Sequence, residues 1–292
     1  MFDAKHDKPT FQIPKHACDA HFHIFGNPER YPYVGKKDLR YAPQIKEAED
    51  YLLFGNAAGF ERTVLVQPSC FGKDNSCQLD AAKLYGLENS RVIVDLEDDC
   101  SDAELDELSK RGACGIRINV RPIEPLTAGL AERLLPRIAL WEKRCQEIGW
   151  MLDFLFPDWL TTEMIPHLEK IRVPFTIAHM GMNKACNGVS SEGFQRLLGL
   201  VSNGEGYCWI KITAPYRIST NPEYRDVVPM AQAMLKAAPN RLLWGSDFPH
   251  ASFEQHNTMR IFNLIEQYAP EEALRNQLLV KNPAELYGFS LD

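Results

Sequence analysis

The chain has 292 residues and a formal net charge of −7 at pH 7, with 45% hydrophobic and 24% charged residues. That balance belongs to a globular protein with a sizeable core, and its acidity argues against a nucleic-acid surface. No apolar run approaches the roughly 20 residues of a membrane span, and the polar start lacks the apolar stretch of a secretory signal. The eight cysteines are scattered without a CxxC pair, so they read as reduced thiols of a cytoplasmic protein.

Short apolar runs alternate with longer helical patterns. Strands are expected near 16–24, 62–68, 91–97, 112–120, 150–156, 174–179, 207–213 and 241–246. Helices are expected near 45–58, 75–88, 102–111, 127–148, 161–170, 190–202, 225–237 and 256–267. Eight strand-then-helix units imply parallel pairing through right-handed crossovers. They predict an α/β fold, a (β/α)8 TIM barrel, with residues 1–292 as one domain. Residues 270–287 read as two short extra helices, broken at Asn282-Pro283. A doubly wound sheet is the other arrangement, but no Gly-rich phosphate fingerprint follows the first strand.

In a barrel, function belongs at the C-terminal ends of the strands. Strand one carries Asp19-Ala20-His21-Phe22-His23. Alternation puts Asp19, His21 and His23 on one face, opposite Cys18, Ala20, Phe22 and Ile24. A long loop then holds Tyr41. Strand two ends in Gln67-Pro68-Ser69-Cys70; Ser69 lacks the G-x-S-x-G turn of a nucleophile and reads as a substrate hydrogen-bond donor. On strand four, Arg117, Asn119 and Arg121 share a face, and two guanidinium groups there can clamp carboxylates bidentately. Asp95 and Asp153 read as internal polar positions with no assigned role. Strand six ends in His179. Lys211 lies on strand seven, with Arg217 just beyond it. Strand eight ends in Trp244-Gly245-Ser246-Asp247-Phe248-Pro249-His250.

Two chemical readings follow. His21, His23, His179 and Asp247 can hold a divalent metal that acidifies a water. Alternatively, the imidazoles polarise a carbonyl while Asp247 acts as general base. Four unrelated polar residues capping strands is the plain alternative. Buried ionisable groups without partners are costly, which speaks against it.

Together these motifs, with Gly115-Ile116-Arg117 and Ala178-His179, resemble the amidohydrolase superfamily, in the branch of 2-pyrone-4,6-dicarboxylate lactonase and sugar lactonases. In that superfamily the HxH pair, histidines of strands five and six, and the strand-eight aspartate usually surround one or two metals. Here the expected strand five has no histidine and strand four no bridging lysine, so a two-metal centre is not expected. The resemblance implies a carboxylic ester hydrolase that opens a carboxylated ring lactone without an obligatory metal. Asp247 would activate water, and His21, His23 and His179 would polarise the carbonyl. Arg117, Arg121 and Arg217 would hold carboxylates, with Tyr41, Ser69, Lys211 and His250 as further substrate contacts. Asp19 would support the histidine pair from below.

The alternatives are a sugar-acid lactonase or lactone isomerase, and a mononuclear Zn or Mn hydrolase or decarboxylase using His21, His23, His179 and Asp247. A barrel that only binds its ligand is the non-enzymatic rival. The expected partner is a small carboxylated lactone, neither nucleic acid nor membrane, with a homo-oligomer left open.

Overall fold

The structure is a computed structural model that describes residues 3, 5–35, 37–120, 128–203 and 205–291. All eight expected strands form: β1 (Cys18–Phe22), β2 (Arg62–Val66), β3 (Ser90–Val94), β4 (Ala113–Asn119), β5 (Met151–Leu155), β6 (Phe175–Ile177), β7 (Cys208–Ile212) and β8 (Leu242–Trp244). They make one sheet in sequence order with every neighbouring pair parallel. Between and after them lie α1 (Ala48–Ala58), α2 (Ser76–Tyr85), α3 (Asp102–Lys110), α4 (Leu130–Ile148), α5 (Asp158–Leu168), α6 (Glu192–Asn203), α7 (Val228–Ala237) and α8 (Thr258–Asn263). This is the expected (β/α)8 barrel, nearly closed. No helix of the described residues is long and apolar enough to cross a membrane.

Among the described residues no ladder joins β8 to β1. The chain just beyond β8 closes that seam instead. Asp247 N donates to the His21 carbonyl at 2.8 Å, and His23 N donates to the Phe248 carbonyl at 2.8 Å. The backbone N–H groups of Ser246 and His21 both donate to Asp19 Oδ1, at 2.9 and 3.3 Å. Gly245 sits at the closest approach: a Cβ there would lie 2.6 Å from both N and Cβ of His21. Only glycine lets the two chains pass this close.

β1 carries one extra residue relative to β2, because Asp19 pairs with Thr63 but Phe22 pairs with Leu65. Such a bulge breaks the two-residue alternation and re-aims the side chains beyond it. Asp19 accepts from the Tyr51 hydroxyl at 3.2 Å, and Phe22 stacks on the same Tyr51 ring at 3.7 Å. Both therefore face α1, three residues apart. Cys18 and Ala20 pack inside the barrel with Val64, Val66 and Ile93. The expected common face of Asp19, His21 and His23 is thus corrected: only the histidine pair turns inward. A second bulge precedes Arg117, since Val92 pairs with Ala113 but Ile93 with Gly115.

The C-terminal segment also differs from expectation. After α9 (Ile265–Tyr268), α10 (Glu272–Asn276) runs through a wide π-turn (Gln277–Lys281) into α11 (Asn282–Tyr287). Asn282 keeps helical dihedrals, φ −62° and ψ −49°, so there is no break at Asn282-Pro283. Pro283 follows directly on the π-turn, at the start of α11. Ala284, Tyr287 and Phe289 then plug the N-terminal end of the barrel against Cys18, Trp209 and Leu243.

Candidate active site

A polar layer lies inside the barrel above that plug. Arg117, Asp153 and Thr176 are register partners on β4, β5 and β6. Lys211 enters from β7, fully buried, and its ammonium group contacts Asp153 Oδ2. The same oxygen accepts from Thr176 Oγ1 at 2.6 Å. Burial pushes the Asp153 carboxyl up, but Lys211 and Arg117 outweigh it and hold the group well below the usual carboxylate range. Lys211 Nζ also lies 3.3 Å from His21 Nδ1.

Above this layer stands Asp247, which the seam-closing turn holds at φ +55°. His179 is likewise left-handed, at φ +53°. Such backbone is costly outside glycine and persists where the surroundings over-determine it. The two carboxylate oxygens of Asp247 have different surroundings. Oδ2 accepts from the Tyr216 hydroxyl and from Arg217 Nε, the latter at 3.2 Å. Because Tyr216 donates there, it must accept from His250 Nδ1 at 3.1 Å. His250 Nε2 in turn accepts from Thr258 Oγ1 at 2.8 Å. Oδ1 instead faces three imidazoles: Nε2 of His21 at 3.5 Å, of His23 at 3.4 Å and of His179 at 4.0 Å. Burial pulls the Asp247 carboxyl up, yet Arg217 and the imidazoles around it outweigh burial and hold it well below the ordinary value. It is a buried carboxylate kept ionised.

The imidazoles are kept neutral. Burial, with Lys211 beside it, lowers His21 to about 3. Burial also lowers His23, helped by Arg117, and drives His179 further down.

Over this centre opens a cleft of about 610 Å³ lined by His23, His179, Asp247, Arg40, Tyr41, Ser69, Arg117, Asn119 and Arg217. The structure thus brings most of the expected residues together. Four stand apart. His21 lies beneath the floor, fully buried, and reaches the cleft through Asp247. Lys211 lies deeper still, and His250 stands behind Tyr216. Arg121 lies outside the described residues. Arg117 donates through Nη1 to the Gln67 carbonyl at 2.6 Å. Sequence reasoning missed Tyr216 and Arg40. Both stand beside residues it did single out, Arg217 and Tyr41, and that adjacency was the available signal.

Side-chain nitrogens of His21 and His179 and a carboxylate oxygen of Asp247 lie within 4.8 Å of one another, the dimensions of a site for one divalent cation. Zinc or manganese takes the lone pair of an imidazole, so the position of each ring proton decides the fit. Lys211 Nζ can only donate, so His21 Nδ1 accepts and its Nε2 carries the proton. His23 is the reverse. Its Nδ1 stands 2.6 Å from the Val66 carbonyl, which can only accept, so its Nε2 has the lone pair. With Lys211 charged, the full set of three histidines and Asp247 does not fit a metal ion. His21 aims an N–H, not a lone pair, at the cluster.

The fold and this centre define a (β/α)8 barrel with an ionised acid among neutral imidazoles at its C-terminal mouth. The chain belongs to the amidohydrolase family, whose pattern matches residues 18–289. It is 34% identical to the 4-sulfomuconolactone hydrolase of Hydrogenophaga intermedia, over 95% of this chain and 90% of that one. It is 32% identical to the 2-pyrone-4,6-dicarboxylate hydrolase of Comamonas testosteroni, over 97% and 94%. A solved structure from Pseudomonas putida, 29% identical, superposes with a TM-score of 0.81 over 96% of this chain and 100% of that one. Of the relatives named by activity, these are lactone hydrolases, and one from Agrobacterium fabrum, 26% identical over 97% of this chain and 94% of that one, is a D-galactarolactone isomerase.

Proposed function

We propose that the protein hydrolyses an anionic, carboxylated ring lactone, with Asp247 as general base and no obligatory metal. The observation that carries this reading is the unequal setting of the Asp247 oxygens. Oδ2 is saturated by Tyr216 and Arg217, which fix the carboxylate. Oδ1 is free to take a proton and faces an arginine-lined cleft. The lone pair of His23 Nε2 faces Oδ1 at 3.4 Å. Two acceptors at that separation form a socket for the proton released when water attacks.

The attacked carbonyl develops negative charge, and a donor at that oxygen contributes about 3 kcal/mol to its stabilisation. His179 lines the cleft and supplies this donor. With the Thr213 hydroxyl, 2.6 Å from His179 Nδ1, as the donor to that nitrogen, the Nε2 hydrogen is left for the cleft. Arg117 and the outer edge of Arg217 bind the carboxylates and orient the ring, with Arg40, Tyr41, Ser69 and Asn119 around them. The collapse of the tetrahedral intermediate then breaks the ring C–O bond, and the proton held at Asp247 and His23 goes to the leaving oxygen.

The test is a screen of purified, chelator-treated protein against carboxylated, sulfonated and neutral ring lactones. Ring opening of a carboxylated lactone by metal-free protein is expected. Activity that returns only with added metal would overturn the metal-free part of the reading, and turnover confined to neutral lactones would overturn the substrate class.

A further inference from the structure

The HxH pair looks symmetric in sequence, but the groups behind its two rings are opposites. His23 Nδ1 rests on a backbone carbonyl, a pure acceptor. His21 Nδ1 rests on a lysine ammonium, a pure donor. Lys211 is 0% exposed and lies against Asp153, and it does not line the cleft. Nothing in the proposed reaction uses it directly.

Burying an ion pair inside a barrel is costly, and well-packed apolar side chains of similar volume are often at least as stable. The strands around it show that alternative: Trp209, one inward position below Lys211, and Met151, one below Asp153, both pack in the apolar plug. Stability alone does not account for a charged pair at this level.

We propose that Lys211, held by Asp153, is a positioning residue that fixes the proton of His21 on Nε2, so that the HxH pair works as two opposite tautomers. His21 then presents an N–H to Asp247 Oδ1, and His23 presents a lone pair to the same oxygen. The donor orients the reacting oxygen from below, and the acceptor shares the proton that oxygen takes up. If both rings carried the proton on Nε2, the acceptor beside Asp247 would be lost. If both carried it on Nδ1, Asp247 would face two lone pairs and no donor from the pair. Asp153 keeps Lys211 a donor, and Thr176 fixes Asp153.

The inference concerns the resting protein, so it can fail without the lactonase reading failing, and the reverse. The test is nitrogen NMR of the full chain with 15N-labelled histidine, where the pattern of ring couplings identifies each tautomer. His21→Gln and His23→Gln assign the two rings by the signals they remove. In the wild-type protein His21 is expected as the Nε2–H form and His23 as the Nδ1–H form. In Lys211→Met, which keeps the volume, the His21 signal is expected to shift toward the Nδ1–H form while His23 is unchanged. With the lactone that the wild type opens, kcat is expected to fall about 10- to 100-fold with KM nearly constant, the usual loss when such a supporting partner is removed. Finding His21 as the Nδ1–H form in the wild type overturns the proposal even if the variant does not fold. So does an unchanged His21 signal in a folded variant.

Discussion

The narrowest point of the barrel wall gives the sharpest prediction. In Gly245→Ala, the new Cβ would stand 2.6 Å from N and Cβ of His21 and 2.9 Å from its Cα, where ordinary contact begins near 3.4 Å. The obstacle is mostly backbone, so no side chain can swing aside. β1 and the chain after β8 must part by 3.4 less 2.6, or 0.8 Å. Overpacking of this kind costs about 1–3 kcal/mol. At roughly 2–4 °C per kcal/mol for a protein of this size, Tm falls measurably. The same parting separates His21, at the clash itself, from Asp247, two residues beyond Gly245. Misplacement by about 1 Å can cost on the order of 100-fold in rate, so a drop of about 10- to 100-fold in kcat/KM is expected. Calorimetry and steady-state kinetics on the same preparation check both. A variant with wild-type Tm and wild-type kcat/KM would refute the claim that this contact closes the seam and sets the site.

Asp247→Asn is expected to lower kcat about 10²- to 10⁴-fold while substrate binding by calorimetry persists; normal turnover would remove Asp247 as the base. Arg117→Met removes a charge-assisted contact of about 1.5–3 kcal/mol, so KM for a carboxylated lactone is expected to rise at least about tenfold, with little change for a neutral one. Equal effects on both would show that Arg117 serves the fold rather than the substrate. Stability should also fall in acid. Burial lowers both His21 and His250 to about 3, so between there and the ordinary value of 6.5 the unfolded chain binds protons that the folded one does not. Their contribution is complete above 6.5 and is lost as the pH falls toward 3, by about 1.4 kcal/mol per pH unit for each ring. Urea midpoints at pH 7, 6 and 5 should decline; a flat series would contradict the buried neutral rings.

The barrel was legible because eight apolar runs each lead into a helical pattern, a regularity written along the chain. The strand ends were less so. β6 and β8 are three residues each, shorter than expected, because His179 and Asp247 leave the ladder in left-handed turns that build the site. The β1 bulge left no mark in Cys18-Asp19-Ala20-His21-Phe22, which has no glycine or proline at the extra residue. Alternation therefore put Asp19 with the histidines, and only the shared contact of Asp19 and Phe22 with Tyr51 shows otherwise. Lys211 and Asp153 each alternate correctly as inward residues, but their pairing spans 58 positions of sequence and depends on barrel closure. Tyr216 was invisible for another reason: a buried aromatic reads as packing until the carboxylate it serves is located.

The charges around the cleft bear on which lactones it can accept. Asp247 and Asp153 are ionised, the histidines are neutral, and four cations (Arg40, Arg117, Arg217 and Lys211) stand with them. The centre therefore carries two more positive charges than negative ones, inside a chain whose net charge is −7. Asp153 is shared by Lys211 and Arg117, its Oδ1 3.9 Å from Arg117 Nε, and Asp247 pairs with Arg217. Arg40 stands with Arg117 on the cleft wall, and burial together with the Arg117 charge lowers it against the pull of Asp95. A neutral lactone would leave the excess positive charge in place, while a carboxylated ring would offset it. Discrimination is strong when a site leaves its own buried polar groups unpaired with the wrong ligand. On the proposed reading, specificity in the cleft would rest on this excess of positive charge, which an anionic ring offsets, as well as on the shape of the ring.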